Sequence, residues 1–437
     1  MIRFIDLFAG IGGIRKGFEL ACAERGIETE CVFTSEIKPA AVRVLKQNHP
    51  GEEIHGDIRA VDAKNIPPFD FLLGGFPCQA FSIAGKKRGF EDARGTLFFE
   101  IARILKERRP EGFLLENVEG LVLHDRTSTK EKVGRTLQVI LGTLEELGYN
   151  VSWRVLDASD FGIPQKRRRI YITGTLGKAP DLSSFPVSRS TLGDVLEHGK
   201  PTRDTPFVRK LLEHIPLGDL KGKAIKDKRG GTGNIHSWDF ELKGPVTPDE
   251  KELLDRILHE RRKKKWAEEY GVEWMDGMPL TERMIGTFWE KDGLHELLGS
   301  LVSKGYLRRE RPKRLVKGQR VTDDSLELGY NIIAGRMSFE VGQVLDPEGF
   351  APTLVATGFD RIHVIDDKGI RPLTLREGLR LFGYPEDYKL DASTNEGYDL
   401  LGNTVVVPVI KAVAGKLLEA AEITAKKEKT KDCPASS

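Results

Sequence analysis

Short apolar runs alternate with helix-period segments through roughly the first 175 residues: runs near 4–8, 31–36 and 69–73, helical segments near 13–25, 39–47 and 96–107. A short continuous apolar run reads as a buried strand, whereas apolar positions three and four apart mark one face of a helix. Alternation of the two demands a largely parallel sheet covered by helices, the doubly wound α/β class. The pattern continues through a strand at 113–115 and a helix with Leu137, Ile140, Leu141, Leu144 and Leu147 on one face. Two further strands follow, near 151–156 and 169–173.

With 437 residues, the chain is long enough for two or three domains. Between about 177 and 370 the alternation gives way to Gly, Pro and charge-rich sequence, with helical stretches near 248–270 and 294–304. Compact patterning returns at 373–382 and 404–421, so the middle is expected as a smaller domain inserted into a discontinuous larger one. The expected boundaries are 1–180, 181–370 and 371–422, followed by a polar, lysine-rich flexible tail at 423–437.

Lys+Arg number 68 and Asp+Glu 66, a net charge of +2, so any nucleic-acid contact must come from local clustering. Residues 304–320 supply one: Lys304, Arg308, Arg309, Arg311, Lys313, Arg314, Lys317 and Arg320 against Glu310 alone, 8 − 1 = +7. The run Arg261-Arg262-Lys263-Lys264-Lys265 shares its stretch with Glu260, Glu268 and Glu269, and is expected as a solvated helix face. The four cysteines, Cys22, Cys31, Cys78 and Cys433, lack metal-ligand spacing and suit a reducing compartment. The first residues enter a strand without a signal-like apolar run, so neither export nor a membrane is expected, and the cytoplasm is.

Phe8-Ala9-Gly10-Ile11-Gly12-Gly13 leads from a strand into a helix, where glycines permit a tight turn and close approach of a ligand. The spacing is not the G-x-G-x-x-G fingerprint. Glu36 ends the next strand, placed to accept from ribose hydroxyls, and Asp57 ends the third, placed to accept from an exocyclic amine. Together they indicate a nucleoside cofactor, either a dinucleotide or S-adenosylmethionine. Cys78, in Gly75-Phe76-Pro77-Cys78-Gln79, sits on a turn at a strand end at the same sheet edge. A thiol titrates near ~8.5, so nucleophilic attack needs a cationic neighbourhood. Gln165-Lys166-Arg167-Arg168-Arg169 is a source, with Arg167 and Arg169 on one face of a strand. Glu116 ends another strand, where partial burial would raise its pKa and let it hold a proton for a ring nitrogen; Asn117 is placed to orient it. A covalent thiol and a proton-managing carboxyl suit a ring that must be activated before it reacts.

In this order the motifs resemble the DNA (cytosine-5) methyltransferase family, most closely its bacterial restriction-modification members. The resemblance spans about 1–175 and 350–420 and includes Glu116-Asn117-Val118, Arg376-Glu377, Gly383-Tyr384-Pro385 and Gly402-Asn403-Thr404-Val405-Val406. It implies a Rossmann-like S-adenosylmethionine-dependent domain with an inserted target-recognition domain. It further implies that Cys78 attacks carbon 6 of a flipped cytosine, Glu116 binds and protonates N3, and Arg167 holds the base. Cofactor contacts are implied at Phe8, Gly10, Ile11, Gly12, Gly13, Glu36, Asp57, Ile58, Pro77, Leu97, Asn403 and Val405. Ala84 stands where some relatives carry a polar side chain that probes the duplex.

The implied partner is double-stranded DNA, bound by a monomer, with any cognate restriction endonuclease acting independently. DNA contacts are expected from Arg169, Arg308, Arg309, Arg311, Lys313 and Arg314, with Thr353 touching the backbone near the flipped base. The helical 294–304 followed by the basic 304–320 reads as a winged-helix-like module. A DNA-binding regulator without catalysis and a transfer-RNA cytosine-5 methyltransferase are the alternatives. Intact Cys78, Glu116 and Arg167 speak against the first, and the large basic insert against the second.

Overall fold

The first apolar run becomes β1 (Ile2–Leu7) and opens a regular alternation: α1 (Gly13–Ala23), β2 (Thr29–Ser35), α2 (Pro39–Asn48), β3 (Ile54–His55) and β4 (Phe71–Gly75). Then follow α3 (Leu97–Arg108), β5 (Gly112–Val118), α4 (Arg135–Glu146), β6 (Asn150–Asp157) and β7 (Arg168–Thr175). The structure is a computed structural model describing residues 1–76, 97–126, 128, 131–228, 230–231, 233–316, 318–333 and 339–422. Pro77, Cys78, Ala84 and the 423–437 tail lie outside the described residues.

Among the described residues, seven strands form one sheet in the order β3-β2-β1-β4-β5-β7-β6. β3, β2, β1, β4 and β5 pair in parallel, whereas β7 is antiparallel to both neighbours. The link between β6 and β7, residues 158–167, is too short for a crossover helix, so the two pair as a hairpin. Ile5, Leu7, Leu72 and Leu115 meet Ile101 and Ile104 of α3 and Leu137, Ile140 and Leu144 of α4 in one core. On the opposite face Phe18 of α1 packs against Phe4 and Phe71, with ring centroids 5.2 and 5.5 Å apart. The strand order reverses between β1 and β4, and at such a switch point a crevice opens beyond the carboxyl ends of the strands.

Beyond β7 the elements shorten: α5 (Pro206–His214), β8 (Ala224–Ile225), β9 (Asn234–Ile235), α6 (Pro248–Glu260), α7 (Lys265–Tyr270), α8 (Glu282–Gly286) and α9 (Leu294–Ser303). They continue with β10 (Leu307–Glu310), β11 (Lys313–Val316), β12 (Gln319–Thr322), β13 (Gly329–Ile332), β14 (Gln343–Val344), β15 (Ile362–Asp366) and β16 (Gly369–Pro372). Helices α10 (Leu375–Leu381), α11 (Thr394–Gly402) and α12 (Val407–Ala420) close the chain. Thr247 with Glu250, Thr374 with Glu377 and Ser393 with Glu396 form capping boxes that start α6, α10 and α11. Val409, Ile410, Val413, Leu417 and Leu418 of α12 are all buried, so this apolar helix is a core element.

The chain divides into two compact units, 1–196 with 348–359 and 374–437, and 197–347 with 360–373. The second has two cores of its own. One lies on the sheet β16-β15-β14-β8-β9, with Val208 and Leu211 of α5 against Ile225 and Val344. The other gathers α6 to α9 with β10 and β13. The single helical stretch expected at 248–270 is two helices. Arg261 ends α6 and is 4% exposed, its Nη1 donating to Asn331 Oδ1 at 2.6 Å, so the basic run is not simply a solvated face.

Candidate active site

The loop after β1 is held in an unusual backbone state. Phe8, Gly10 and Gly12 have φ of 56°, 55° and 72°. For phenylalanine this region is strained, a cost on the order of 1–3 kcal/mol that the surrounding structure must sustain. Glu36, just past β2, supplies part of that support. Its Oε2 accepts from Gly10 N at 2.7 Å, and its Oε1 from Ile37 N and Lys38 N at 2.9 and 2.7 Å. One acceptor position on Oε2 is left for another donor. A Cβ placed on Gly10 would meet nothing within 4 Å among the described residues, so among them the loop faces open space.

That space is a cleft of about 320 Å³. Phe8, Gly10, Ile11 and Glu36 line one side, Gly75, Phe76, Glu116 and Asn117 another, and Arg167, Arg169, Asn403 and Thr404 the rest. Glu116 comes from the end of β5, and its side chain is only 11% exposed. Burial raises its pKa, with Arg169 and then Arg167 opposing. Arg169 Nε lies 3.2 Å from Glu116 Oε1. Asn117 does not orient Glu116: its Nδ2 donates to Phe76 O at 2.7 Å, fixing the chain just before Pro77 and Cys78. The Arg167 side chain is enclosed, with Nη1 donating to Leu354 O at 2.7 Å and Nη2 to Thr404 O at 2.6 Å. Its guanidinium also lies 5.0 Å from the Phe382 ring centroid. It therefore ties down the returning segment that carries Asn403.

The same segment braces the glycine loop. Tyr388 Oη donates to Ile11 O, and Tyr384 Oη shares a hydrogen bond with Thr404 Oγ1 at 2.6 Å. A Cβ on Gly13 would come within 2.6 Å of Tyr384 Oη and 2.8 Å of Val405, so only glycine fits there. Lys38 pairs with Asp399, and Asn403 Nδ2 donates to Asp399 Oδ1 at 3.0 Å. The arrangement offers a nucleoside-sized cleft beside a carboxyl group that burial favours in its protonated form.

The chain matches the C-5 cytosine-specific DNA methylase family over residues 2–419. The chain belongs to that family. It is 60% identical over 417 residues to the type II methyltransferase M.NlaIV of Neisseria lactamica, covering 95% of this chain and 99% of the relative. Against the type II methyltransferase M.BanI of Aneurinibacillus aneurinilyticus it is 41% identical over 442 residues, 96% of each. A solved S. pombe Dnmt2 methyltransferase superposes with a TM-score of 0.51 at 17% identity, over 96% of this chain and 98% of that one, and shares the fold.

The family uses S-adenosylmethionine, and the cleft of this methylase fits it. Among the described residues nothing fills the space over Gly10, and Glu36 keeps an acceptor for a ribose hydroxyl. Not every expected contact faces the cleft. Asp57 caps the turn that follows it and is gripped by Arg59, whose Nε lies 3.0 and 2.9 Å from its two oxygens. This pairing lowers the Asp57 pKa and leaves its carboxylate engaged rather than awaiting an amine. Ile58 is 1% exposed within the main core, and Leu97 packs against that core at the start of α3. Val405 and Gly13 pack on each other behind the loop.

The residues expected at DNA are also partly engaged. Thr353 Oγ1 donates to Lys166 O at 2.6 Å. In the second unit Arg308 pairs with Glu310 at 2.7 Å, Arg314 with Asp323 at 2.8 Å, and Arg311 reaches Asp324 at 3.8 Å. Arg309 lies over the Tyr330 ring at 5.7 Å. Adding Asp323 and Asp324 to residues 304–320 lowers the balance to 8 − 3 = +5, still basic. Sequence reasoning missed Tyr388 altogether, and it gave Asn117 the wrong partner.

Proposed function

We propose that this methylase modifies host DNA in a type II restriction-modification system through a covalent Cys78 adduct. The reaction is methyl transfer to carbon 5 of cytosine in DNA. The observation that carries the mechanism is Glu116, enclosed beside Arg169 on the cleft that the glycine loop opens. The Cys78 thiolate attacks carbon 6 of an extruded cytosine while the protonated Glu116 carboxyl gives its proton to N3, so electron density gathers at carbon 5. S-adenosylmethionine, when bound, supplies the methyl group. The carbon-5 proton then leaves to water, the thiolate is eliminated from carbon 6, and N3 returns its proton to Glu116, which releases the product and frees Cys78. Arg169 holds Glu116 and the base edge, and Arg167 acts behind it by anchoring the Asn403 segment. Extruding the base costs on the order of a few kcal/mol, offset by pocket contacts.

Glu36 and the backbone of the loop from Phe8 to Gly13 hold the cofactor, with Asn403 closing the cleft; Asp57 joins them once it leaves Arg59. The second unit is the target-recognition region and includes a winged-helix module. The protein works as a cytoplasmic monomer, independently of any cognate endonuclease.

Cys78→Ser and Glu116→Gln test the mechanism. Both should retain cofactor and DNA binding. Glu116→Gln should lose about 10²–10⁴-fold in transfer rate, and Cys78→Ser should lose transfer altogether. Undiminished transfer by Cys78→Ser would exclude the covalent route. Bisulfite sequencing of DNA from a host expressing the chain reads the target and the methylated position together.

A further inference from the structure

The second unit contains a run of elements in winged-helix order: α6, the extended Leu280, α8, α9, β10, the β11–β12 hairpin and β13. Leu280 bridges antiparallel to Tyr330 of β13, and β13 pairs antiparallel with β10 from Leu307↔Ile332 to Glu310↔Gly329. The ribbon therefore has β13 at its centre and the hairpin projecting from it. Leu253 and Ile257 of α6, Ile285 of α8 and Leu298 and Leu301 of α9 share one core with Leu307 and Ile332. In helix-turn-helix architectures the second helix of the pair carries the base contacts. Here that helix is α9.

His295, Glu296, Gly299 and Ser303 are exposed along one face of α9. Gly299 sits in the helix interior, where glycine is weaker than alanine. A Cβ there would meet nothing within 4 Å among the described residues, so no contact among them requires glycine. The missing side chain leaves room for an outside surface to come up against the helix backbone. The β11–β12 hairpin, which follows α9 and β10 in the chain, is exposed at every position of both strands, and it presents Lys313, Arg314 and Arg320. An exposed helix face with glycine at its middle, followed in the chain by a basic hairpin, complements a polyanion with a groove.

We propose that α9 lies in the major groove of target DNA with Glu296, Gly299 and Ser303 toward the base edges, while Lys313 and Arg314 of the hairpin grip phosphates. This rests on the second unit being the target-recognition region. The groove, ~12 Å wide, only just admits a helix ~10–12 Å across, which accounts for a missing side chain at the point of closest approach. Glu296 is suited to accept from a cytosine amine, and the Ser303 hydroxyl can serve either as donor or as acceptor.

The test uses the full chain carrying Gly299→Ala, Gly299→Leu or the pair Lys313→Ala with Arg314→Ala, with melting temperature, cofactor binding, duplex affinity and methylation rate measured. The Gly299 variants should melt at or above the parent temperature and bind cofactor normally, yet Gly299→Leu should methylate the parent site about tenfold more slowly or worse. The hairpin variant should weaken binding to all duplexes alike. Full-rate methylation by Gly299→Leu, or a rate loss accompanied by a lower melting temperature, overturns the assignment of α9. If the hairpin variant also leaves duplex affinity unchanged, the second unit is not the recognition region and the wider reading fails with it.

Discussion

The catalytic cleft and the β11–β12 hairpin use charge in opposite ways. In the cleft, Glu116 and Arg167 are withdrawn from water, and Asp6 lies fully buried within β1 behind the glycine loop. In the hairpin, every position of the two strands is exposed and Arg314 has an acidic partner, Asp323, within 2.8 Å. A buried charge keeps its field whatever the salt, whereas an exposed one fades beyond a Debye length of about 8 Å at physiological ionic strength. Chemistry in the cleft should therefore ignore salt, and the grip on DNA should depend on it. Substitutions in the two regions should differ accordingly: large and salt-independent in the cleft, small and salt-dependent on the hairpin.

Arg167→Met is the most severe way to probe the first half of that contrast. It leaves the Leu354 and Thr404 carbonyls without a donor in a closed setting. Each such loss costs about 1–3 kcal/mol, so a destabilisation of about 2–6 kcal/mol is expected. Cofactor affinity should fall with it, because Asn403 sits on the loosened segment. Chemical denaturation at low and high salt should give the same loss; a loss that shrinks with salt would place Arg167 among the exposed charges instead.

How much of this was legible in the sequence follows from distance along the chain. Glu36 and Glu116 were found because an apolar run reports where its strand ends, and the carboxyl ends of parallel strands share one edge. The reversal of β7 could also be read, given the short link at 158–167. The partners of Asn117 and Tyr388 could not, because Phe76 lies 41 residues away and Ile11 lies 377. The pairing of Asp57 is the opposite case. Arg59, two residues on, competes locally for its carboxylate, a pairing that the end of a strand does not report. In the second unit the strands of the five-stranded sheet are two to five residues long, too short for alternation to show. The capping boxes were legible in principle, since Thr-x-x-Glu and Ser-x-x-Glu stand in the sequence ahead of α6, α10 and α11.

Asp6 sharpens the contrast through pH. Its carboxylate is 0% exposed, and neither oxygen has a hydrogen-bond partner among the described residues. Burial pushes its pKa up to about 8, with Arg15 pulling the other way. The folded state thus holds this proton more tightly than the unfolded chain, where Asp titrates near ~3.9. The stabilising contribution is complete below pH ~4 and is lost as pH rises through about 8. Asp6→Asn removes the ionisation, so the variant should gain on the parent progressively from pH ~4 to 9, by on the order of a few kcal/mol at the alkaline end. Melting temperatures across that range check it; parallel pH profiles for the two proteins would show that Asp6 is not withdrawn from water.

The smallest effect belongs to the hairpin. Lys313 is exposed, and no carboxylate contacts it among the described residues, so removing its charge disturbs nothing inside the protein. Lys313→Ala should leave melting temperature unchanged and weaken binding to cognate and non-cognate duplexes by the same small factor. If the side chain neutralises one phosphate, the slope of log affinity against log salt should become shallower by about 0.9. Arg314→Ala should do less than that, because Asp323 already answers part of its charge and is itself released by the substitution. Titrations of labelled duplex across salt concentrations separate the two. Equal slopes for the two variants would mean that the Asp323 pair opens on DNA and that the hairpin's acids do not temper its grip.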